Sequence, residues 1–216
     1  MDATAPNHFA DSAETQKLLM QISAGQRDAF NDLFNRHRGK LRQAVELRLD
    51  RRLQARVDAS DIVQEAQMEA FRRLDDYLAR RPMSFSLWLR KTAQQRILNH
   101  RRAHLATARR SVLREQAVPE ESSLLIANSL IGRGSSPSRR VIRREYQRLV
   151  SEAVDELDDI DREILLMRNV EGLSQREIAQ VLDLTHDAVR KRYGRALVKL
   201  QRSLAKKGLT EGETDF

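Results

Sequence analysis

Apolar residues recur at helical spacing along most of this 216-residue chain, and no strand pattern of matching strength interrupts them. The period begins at Glu14 with Leu18, Leu19 and Ile22, passes Gly25, and resumes with Ala29, Phe30, Leu33 and Phe34. Leu41, Val45 and Leu49 predict a further helix, with Leu53 and Val57 trailing. The clearest helix of the N-terminal half spans 58–77, where Ile62, Val63, Ala66, Ala70, Phe71, Leu74 and Tyr77 form one stripe. Asp58 or Ser60 is its predicted N-cap. Pro82 forbids an easy continuation beyond Arg80 and Arg81. Another helix starts near Ser84 or Ser86 and turns Leu89, Ala93 and Ile97 to one side.

Residues 115–138, EQAVPEESSLLIANSLIGRGSSPS, change character. They are rich in Pro, Gly and Ser and read as a linker, with Leu124, Leu125 and Ile126 suited to docking or to a short helical turn. Fully extended, this stretch spans on the order of 80 Å. A second helical pattern follows. Its first helix holds Val141, Ile142, Tyr146, Leu149, Val150, Ala153, Val154 and Leu157; the next starts at 158–161, carries Ile164, Leu165, Leu166 and Met167 inward, and ends at Gly172. The predicted fold is all-α: two small helical domains, 14–114 and 139–207, joined by a flexible linker, with tails at 1–13 and 208–216.

The stretch LSQREIAQVLDLTHDAVRKRY, residues 173–193, predicts two short helices and a corner. Ser174 and Glu177 have capping-box spacing. Ile178, Ala179 and Leu182 face inward. Asp183 and Leu184 form the corner, where Asp tolerates positive φ better than most residues. Thr185 caps the second helix and Asp187 sits in its first turn. That helix turns Val189, Tyr193, Ala196, Leu197, Leu200 and Leu204 inward, leaving Lys191 and Arg195 on the opposite face with Asp187 and Gly194 beside them and Arg190 and Arg192 flanking. This is the layout of a helix-turn-helix whose second helix enters a major groove, where Arg and Lys read guanine edges or grip phosphates. The plainer alternative is a helical hairpin with a solvated basic face.

Charge strengthens the nucleic-acid reading. Net charge is +8 and the sequence pI about 10.3, which points to a polyanionic partner, either nucleic acid or an anionic membrane surface. The charge is also concentrated: from Arg90 to Arg114, including Arg109 and Arg110, there is no Asp or Glu. Aromatics make up only 5% of the chain, which fits small helical cores rather than a sandwich or barrel. There is no cysteine, hence no disulfide frame and no thiolate metal site. No apolar run approaches the roughly 18 residues needed to span a bilayer, and the N-terminus lacks a charged-then-apolar signal pattern. A cytoplasmic protein without membrane insertion is expected.

The N-terminal half narrows the function. DASDIVQEAQMEAFRRLDDY, residues 58–77, resembles region 2.2 of bacterial sigma factors, the dissociable promoter-recognition subunits of RNA polymerase. FSLWLRKTAQQRILNHRR, residues 85–102, resembles regions 2.3 and 2.4, and the helix-turn-helix resembles region 4.2. Order, basic run and linker resemble the small extracytoplasmic-function (ECF) subfamily, over about residues 14–110 and 139–205.

The resemblance implies roles for particular residues. Asp61, Gln64, Glu65 and Met68 would face the clamp helices of the polymerase β′ subunit; two carboxylates and an amide suit a basic partner surface. Without the resemblance, a solvated acidic face would be the reading. No nucleophile or ligand set stands nearby, so no catalytic residue, metal or cofactor is expected. The minus-10 element falls to Gln95 and Asn99, with Arg90, Lys91, Arg96, Arg101 and Arg102 as phosphate contacts. Trp88 stands in the same segment, although its bulk favours burial. His100 and His104, spaced i, i+4, have no third ligand and read as part of the DNA-facing basic segment.

The minus-35 element falls to Thr185, His186, Arg190, Lys191, Gly194 and Arg195. Asp183 stands where Gly is frequent in the family, and Gly194 where a larger side chain is common. Two elements about two helical turns apart lie roughly 70 Å from each other on B-DNA, within the extended linker's reach. Partners implied are core RNA polymerase, through the β′ clamp helices and β flap, promoter DNA, and the anti-sigma proteins that hold many ECF factors. Location is cytoplasmic, at the nucleoid when in holoenzyme. The alternatives are a stand-alone helix-turn-helix regulator, which needs a sensor domain or dimer helix, and a helical RNA-binding or scaffold protein.

Overall fold

A computed structural model describes residues 11–49, 57–108, 121–131 and 140–207, and the side chains of these except 104–108, 121 and 140–143. The expectations for Leu53, Arg109, Arg110, Arg114 and the tails at 1–10 and 208–216, and for the side chains of His104, Val141 and Ile142, lie outside what it describes. Residues 11–13, expected to belong to the N-terminal tail, instead belong to the fold, with Asp11 bound to the Phe85 amide and Ser12 capping the first helix. Among the described residues every regular element is helical, and no helix is long and apolar enough to cross a membrane. The chain folds as two compact units, Met1–Leu113 and Arg114–Phe216.

The first unit holds α1 (Ala13–Ser23), α2 (Ala29–Glu46), α3 (Ala59–Arg72), α4 (Leu74–Arg80) and α5 (Phe85–Ala108). Ser12 caps α1, its Oγ accepting from the Thr15 amide. Gly25 then takes a left-handed φ of 95° and turns the chain into α2. The two patterns expected as separate helices at 29–34 and 41–49 join in α2, which runs through Gly39 without a break. One glycine costs a helix about 1 kcal/mol. The burial of Phe30, Leu33, Phe34, Leu41, Ala44 and Val45 on one stripe outweighs that.

The single helix expected at 58–77 breaks at Arg73, where φ −100° and ψ 11° leave the helical region. The kink gives α3 and α4 and keeps both Leu74 and Tyr77 in the core. Arg81 then adopts φ 38°, a left-handed stop that cuts α4 just before Pro82. Around this corner sits an aromatic cluster. Tyr77 stacks on Trp88 at 4.5 Å, and Phe85 lies 5.6 Å from Tyr77 and 5.5 Å from His37. The Tyr77 hydroxyl donates to the Met83 carbonyl at 3.1 Å, and the Phe85 amide at the head of α5 donates to the Asp11 carboxylate at 2.8 Å. Burial pushes the Asp11 carboxyl above its ordinary range, against the pull of that amide and of Arg81. The loop leading into α5 is thus held from both sides.

The second unit contains α6 (Glu121–Ile131), α7 (Arg140–Asp155), α8 (Asp159–Leu165) continuing as a π-helical turn (Leu166–Val170), α9 (Gln175–Leu182) and α10 (His186–Lys206). Helix α6 lies inside the stretch read as a linker. It packs on α7 and on the π-helical turn, with Ser123, Ile126 and Ala127 fully buried. The Ser123 hydroxyl donates to Asp155 at 2.6 Å, so the buried polar atom is satisfied. Serines at 122 and 123 and alanine at 127 give this face little hydrophobic signal, so composition hid the helix. As a helix these residues cover about 16 Å instead of the roughly 38 Å of an extended chain, which shortens the reach expected of the stretch.

If α6 is part of the second core, Ile126→Ala will cost that unit about 2–5 kcal/mol. Trp88 is the single tryptophan and reports only on the first unit. Urea unfolding followed by its fluorescence is expected to keep its midpoint, while the circular-dichroism transition of the second unit moves down. A dichroism transition that stays in place would place α6 outside that core.

Candidate nucleic-acid interfaces

Helix α5 presents the first basic surface. Leu89, Ala93 and Ile97 are buried, which turns Lys91, Gln95, Asn99 and Arg102 into a stripe on the other side; Gln95, Asn99 and Arg102 are exposed and Lys91 partly so. An amide pair flanked by cations is the composition suited to base edges beside phosphates. Arg90 and Arg96 are partly buried at the margin of this stripe.

Two residues of the segment assigned to the minus-10 element turn inward, Trp88 as its bulk favours and Arg101 against the expected phosphate contact. Trp88 is 6% exposed in the aromatic cluster, so its ring offers no free face to a base and instead supports the head of α5. Arg101 donates from Nη2 to the Arg48 carbonyl at 2.7 Å, closing the end of α2. His100 also departs from the expected DNA-facing role: its Nε2 donates to both oxygens of Glu65 at 3.0 and 3.1 Å. The reason is helical register, because positions 100 and 101 continue the buried stripe 89, 93, 97.

The face of α3 is only partly as expected. Asp61, Gln64 and Met68 are exposed. Glu65 is pulled toward α5 by His100, with 42% of its side chain exposed. Asp61 also accepts from the Asp58 amide at 3.2 Å as the reciprocal half of a capping box, so it helps to start the helix. Phe71, expected in the core, is 43% exposed and meets Phe30 edge-on at 5.2 Å. It extends the strip one turn beyond Met68, and its signal in the sequence was hidden because it is one of two adjacent apolar residues, Ala70 being the buried one.

The second surface is built by α9 and α10. Ser174 Oγ accepts from the Glu177 amide at 3.2 Å while the Glu177 carboxylate accepts from the Ser174 amide at 2.8 Å. Asp183 takes φ 55°, ψ 40°, and the Leu184 amide donates to the Ala179 carbonyl at 3.0 Å, closing the corner. Thr185 Oγ1 then accepts from the Ala188 amide at 3.1 Å, capping α10; Thr185 and His186 are exposed at its head. Val189, Ala196, Leu200 and Leu204 are buried, with Tyr193 partly so and donating to Asn169 at 3.2 Å.

Acids then sort the cations of α10. Arg192 donates to buried Asp161 at 2.9 Å, and Lys199 lies 2.7 Å from Asp158 and 3.6 Å from Asp161. Lys199 holds the Asp158 carboxyl below its usual range. Lys207 reaches Glu152 and Glu156, at 3.3 and 3.2 Å, on the α7 side. Arg190, Lys191 and Arg195 remain exposed on the outer face, around Gly194. A Cβ at Gly194 would meet nothing within 4 Å, so no neighbour within the protein demands a glycine there.

Residues 33–107 match Sigma-70 region 2, and residues 147–200 match Sigma-70, region 4. The chain is 25% identical over 188 residues to the ECF RNA polymerase sigma-E factor of Haemophilus influenzae, covering 87% of this chain and 94% of that one. It is 27% identical over 188 residues to the ECF RNA polymerase sigma-E factor of Escherichia coli, covering 87% and 93%. Among solved structures it is similar to CnrH in complex with the cytosolic domain of CnrY, with 26% identity, a TM-score of 0.53, and coverage of 89% and 97%. The fold also resembles RpoE in complex with the anti-sigma factor NepR from Bartonella quintana, with 18% identity, a TM-score of 0.53, and coverage of 82% and 96%.

The geometry separates anchoring from outward cations on α10. Arg192→Ala leaves Asp161 buried with Lys199 as a more distant cation, and is expected to cost the second unit about 1–3 kcal/mol. Arg195→Ala, at an exposed position, is expected to stay within about 0.5 kcal/mol. Thermal unfolding followed by circular dichroism checks the order; equal losses would refute it.

Proposed function

This chain belongs to the sigma-70 family, in its ECF branch, and from that premise we propose which of its residues carry the work. A factor of this kind binds core RNA polymerase and directs it to promoters by recognising minus-10 and minus-35 elements. The single observation that supports the reading most is the occurrence of both sigma regions, in order, on two units that each expose an ordered basic helix face.

In the first unit, the strip of Asp61, Gln64, Met68 and Phe71 on α3 meets the clamp helices of β′. It combines a carboxylate and an amide for basic groups with two half-exposed apolar side chains that gain from burial. Glu65 contributes through its exposed edge and ties this face to α5 through His100. Gln95 and Asn99 take base edges of the minus-10 element, while Lys91 and Arg102, with Arg90 and Arg96 at the margin, hold phosphates. In the second unit, Arg190, Lys191 and Arg195 enter the major groove of the minus-35 element. Gly194 lets the helix approach closely, and Thr185 and His186 reach the flanking backbone. The β flap is the expected polymerase contact of this unit. The protein acts in the cytoplasm, at the nucleoid when bound in holoenzyme, and without catalysis of its own. The complex of CnrH with the cytosolic domain of CnrY supports a further protein partner for this chain, and the anti-sigma proteins implied by the family resemblance are the partner we propose.

Run-off transcription on a diverse promoter library tests the core of this reading. With core polymerase, the protein is expected to yield transcripts from a subset of promoters that core alone does not use. A library with no protein-dependent transcript would refute initiation-factor activity and leave the stand-alone regulator.

Paired substitutions divide the surfaces. Gln64→Ala with Met68→Ala spares the capping box and is expected to weaken core binding about tenfold, leaving unfolding unchanged. Lys191→Ala with Arg195→Ala is expected to preserve core binding, abolish dependence on the minus-35 element, and reduce the salt slope of DNA binding by about 2. Affinity for core measured by fluorescence anisotropy and promoter binding measured by salt titration read the two effects. A loss of core binding in the second pair alone would invert the assignment.

A further inference from the structure

Helix α10 contains a residue that phosphate binding does not explain. Between residues 186 and 206, Asp187 is the only acid among seven Lys and Arg. It lies at the head of the helix, on the same side as Arg190 and Lys191. Its Oδ1 accepts from Arg190 Nη2 at 2.8 Å and its Oδ2 from Lys191 Nζ at 2.7 Å. Those two cations hold its carboxyl below the ordinary aspartate range, so it is ionised wherever the protein works.

Structural roles account for little of this. A carboxylate in the first turn complements the helix dipole, yet Thr185 already caps the end, and exposed ion pairs of this kind add little stability. Against a polyanion the residue is a liability, because it repels phosphate and competes for two of the three outward cations. A purely electrostatic grip would leave it out.

Major-groove chemistry supplies a use for it. Residues at the N-terminal end of a helix-turn-helix recognition helix are the ones that reach base edges. An ionised carboxylate only accepts hydrogen bonds, and the groove-exposed donor that suits a single acceptor group is the exocyclic amino group of cytosine. We infer that Asp187 is a specificity-determining residue that accepts a hydrogen bond from the N4 amino group of one cytosine in the minus-35 element. On docking, Arg190 and Lys191 turn from Asp187 to phosphates or guanine edges, and the carboxylate they leave is compensated by the cytosine donor. At a promoter without that cytosine the carboxylate loses its cations and gains nothing, so the wrong sequence is penalised as well as the right one favoured. This inference rests on the minus-35 reading of α10 given above.

The test uses holoenzyme assembled from core polymerase and the full chain, with promoters randomised through the minus-35 element. Wild type is expected to select cytosine at one position. Asp187→Ala is expected to lose about tenfold of that selectivity, keep its preferences at the other positions, and bind unrelated duplex DNA more tightly. Asp187→Asn, which keeps the shape of the helix start, is expected to move the preference at that same position to adenine, because an amide pairs with the N6 and N7 edge. A merely structural role for Asp187 would change affinity or stability without changing the preferred base. Identical base profiles for wild type and both variants would overturn the inference while leaving the minus-35 reading intact. A wild-type holoenzyme with no preference anywhere in the element would overturn that reading and the inference together.

Discussion

A long helix in a small domain must bury one stripe, and that requirement decides which cations of this protein face outward. In α5 the stripe of Leu89, Ala93 and Ile97 is anchored at its head by Trp88 against Tyr77. The same register carries His100 and Arg101 inward and leaves Gln95, Asn99 and Arg102 on the open side. In α10 the stripe of Val189, Ala196, Leu200 and Leu204 takes Arg192 toward Asp161 and leaves Arg190, Lys191 and Arg195 outside. A basic run in the sequence becomes an oriented surface only because the core removes some of its members.

Acidic residues complete that sorting. Each of several carboxylates is spent on positioning: Asp11 on the head of α5, Asp61 and Glu177 on helix starts, Asp158 and Asp161 on the middle of α10. The result is a recognition helix fixed along its body and open at its head. Asp187 differs in that its two partners are themselves on the outward face. Neither pair ties the helix to another element, which is why we infer for Asp187 a part in selection rather than in positioning.

The second unit also draws on residues that composition assigned to a connection. Helix α6 buries Ile126 and Ala127 against α7 and the π-helical turn, and its Ser123–Asp155 bond satisfies a fully buried hydroxyl that burial would otherwise penalise. A face that carries two serines and an alanine beside Ile126 is weakly hydrophobic, and its stability comes from close packing and from satisfied polar groups such as Ser123. Flanking Pro and Gly mark the stretch as a linker with a docking segment or short helical turn at 124–126; Ile126 does dock, and the full helix from 121 to 131 emerges only against its partner helices.

Short-range features were legible in the chain itself. The capping box of Ser174 and Glu177, the left-handed corner at Asp183, the caps at Asp58 and Thr185, and the apolar stripes of α3, α5 and α10 depend on groups within about four residues of each other, and a linear reading captures such spacings. The all-α class and the family resemblance follow from those stripes and motifs. Tertiary structure decided the rest: the break at Arg73, the continuous α2 through Gly39, the turn of His100 to Glu65, of Arg101 to the Arg48 carbonyl, and of the Phe85 amide to Asp11. These last contacts join residues 35, 53 and 74 positions apart. Nothing local favours one such partner over another, and only the packing of whole helices brings the pairs within hydrogen-bonding distance.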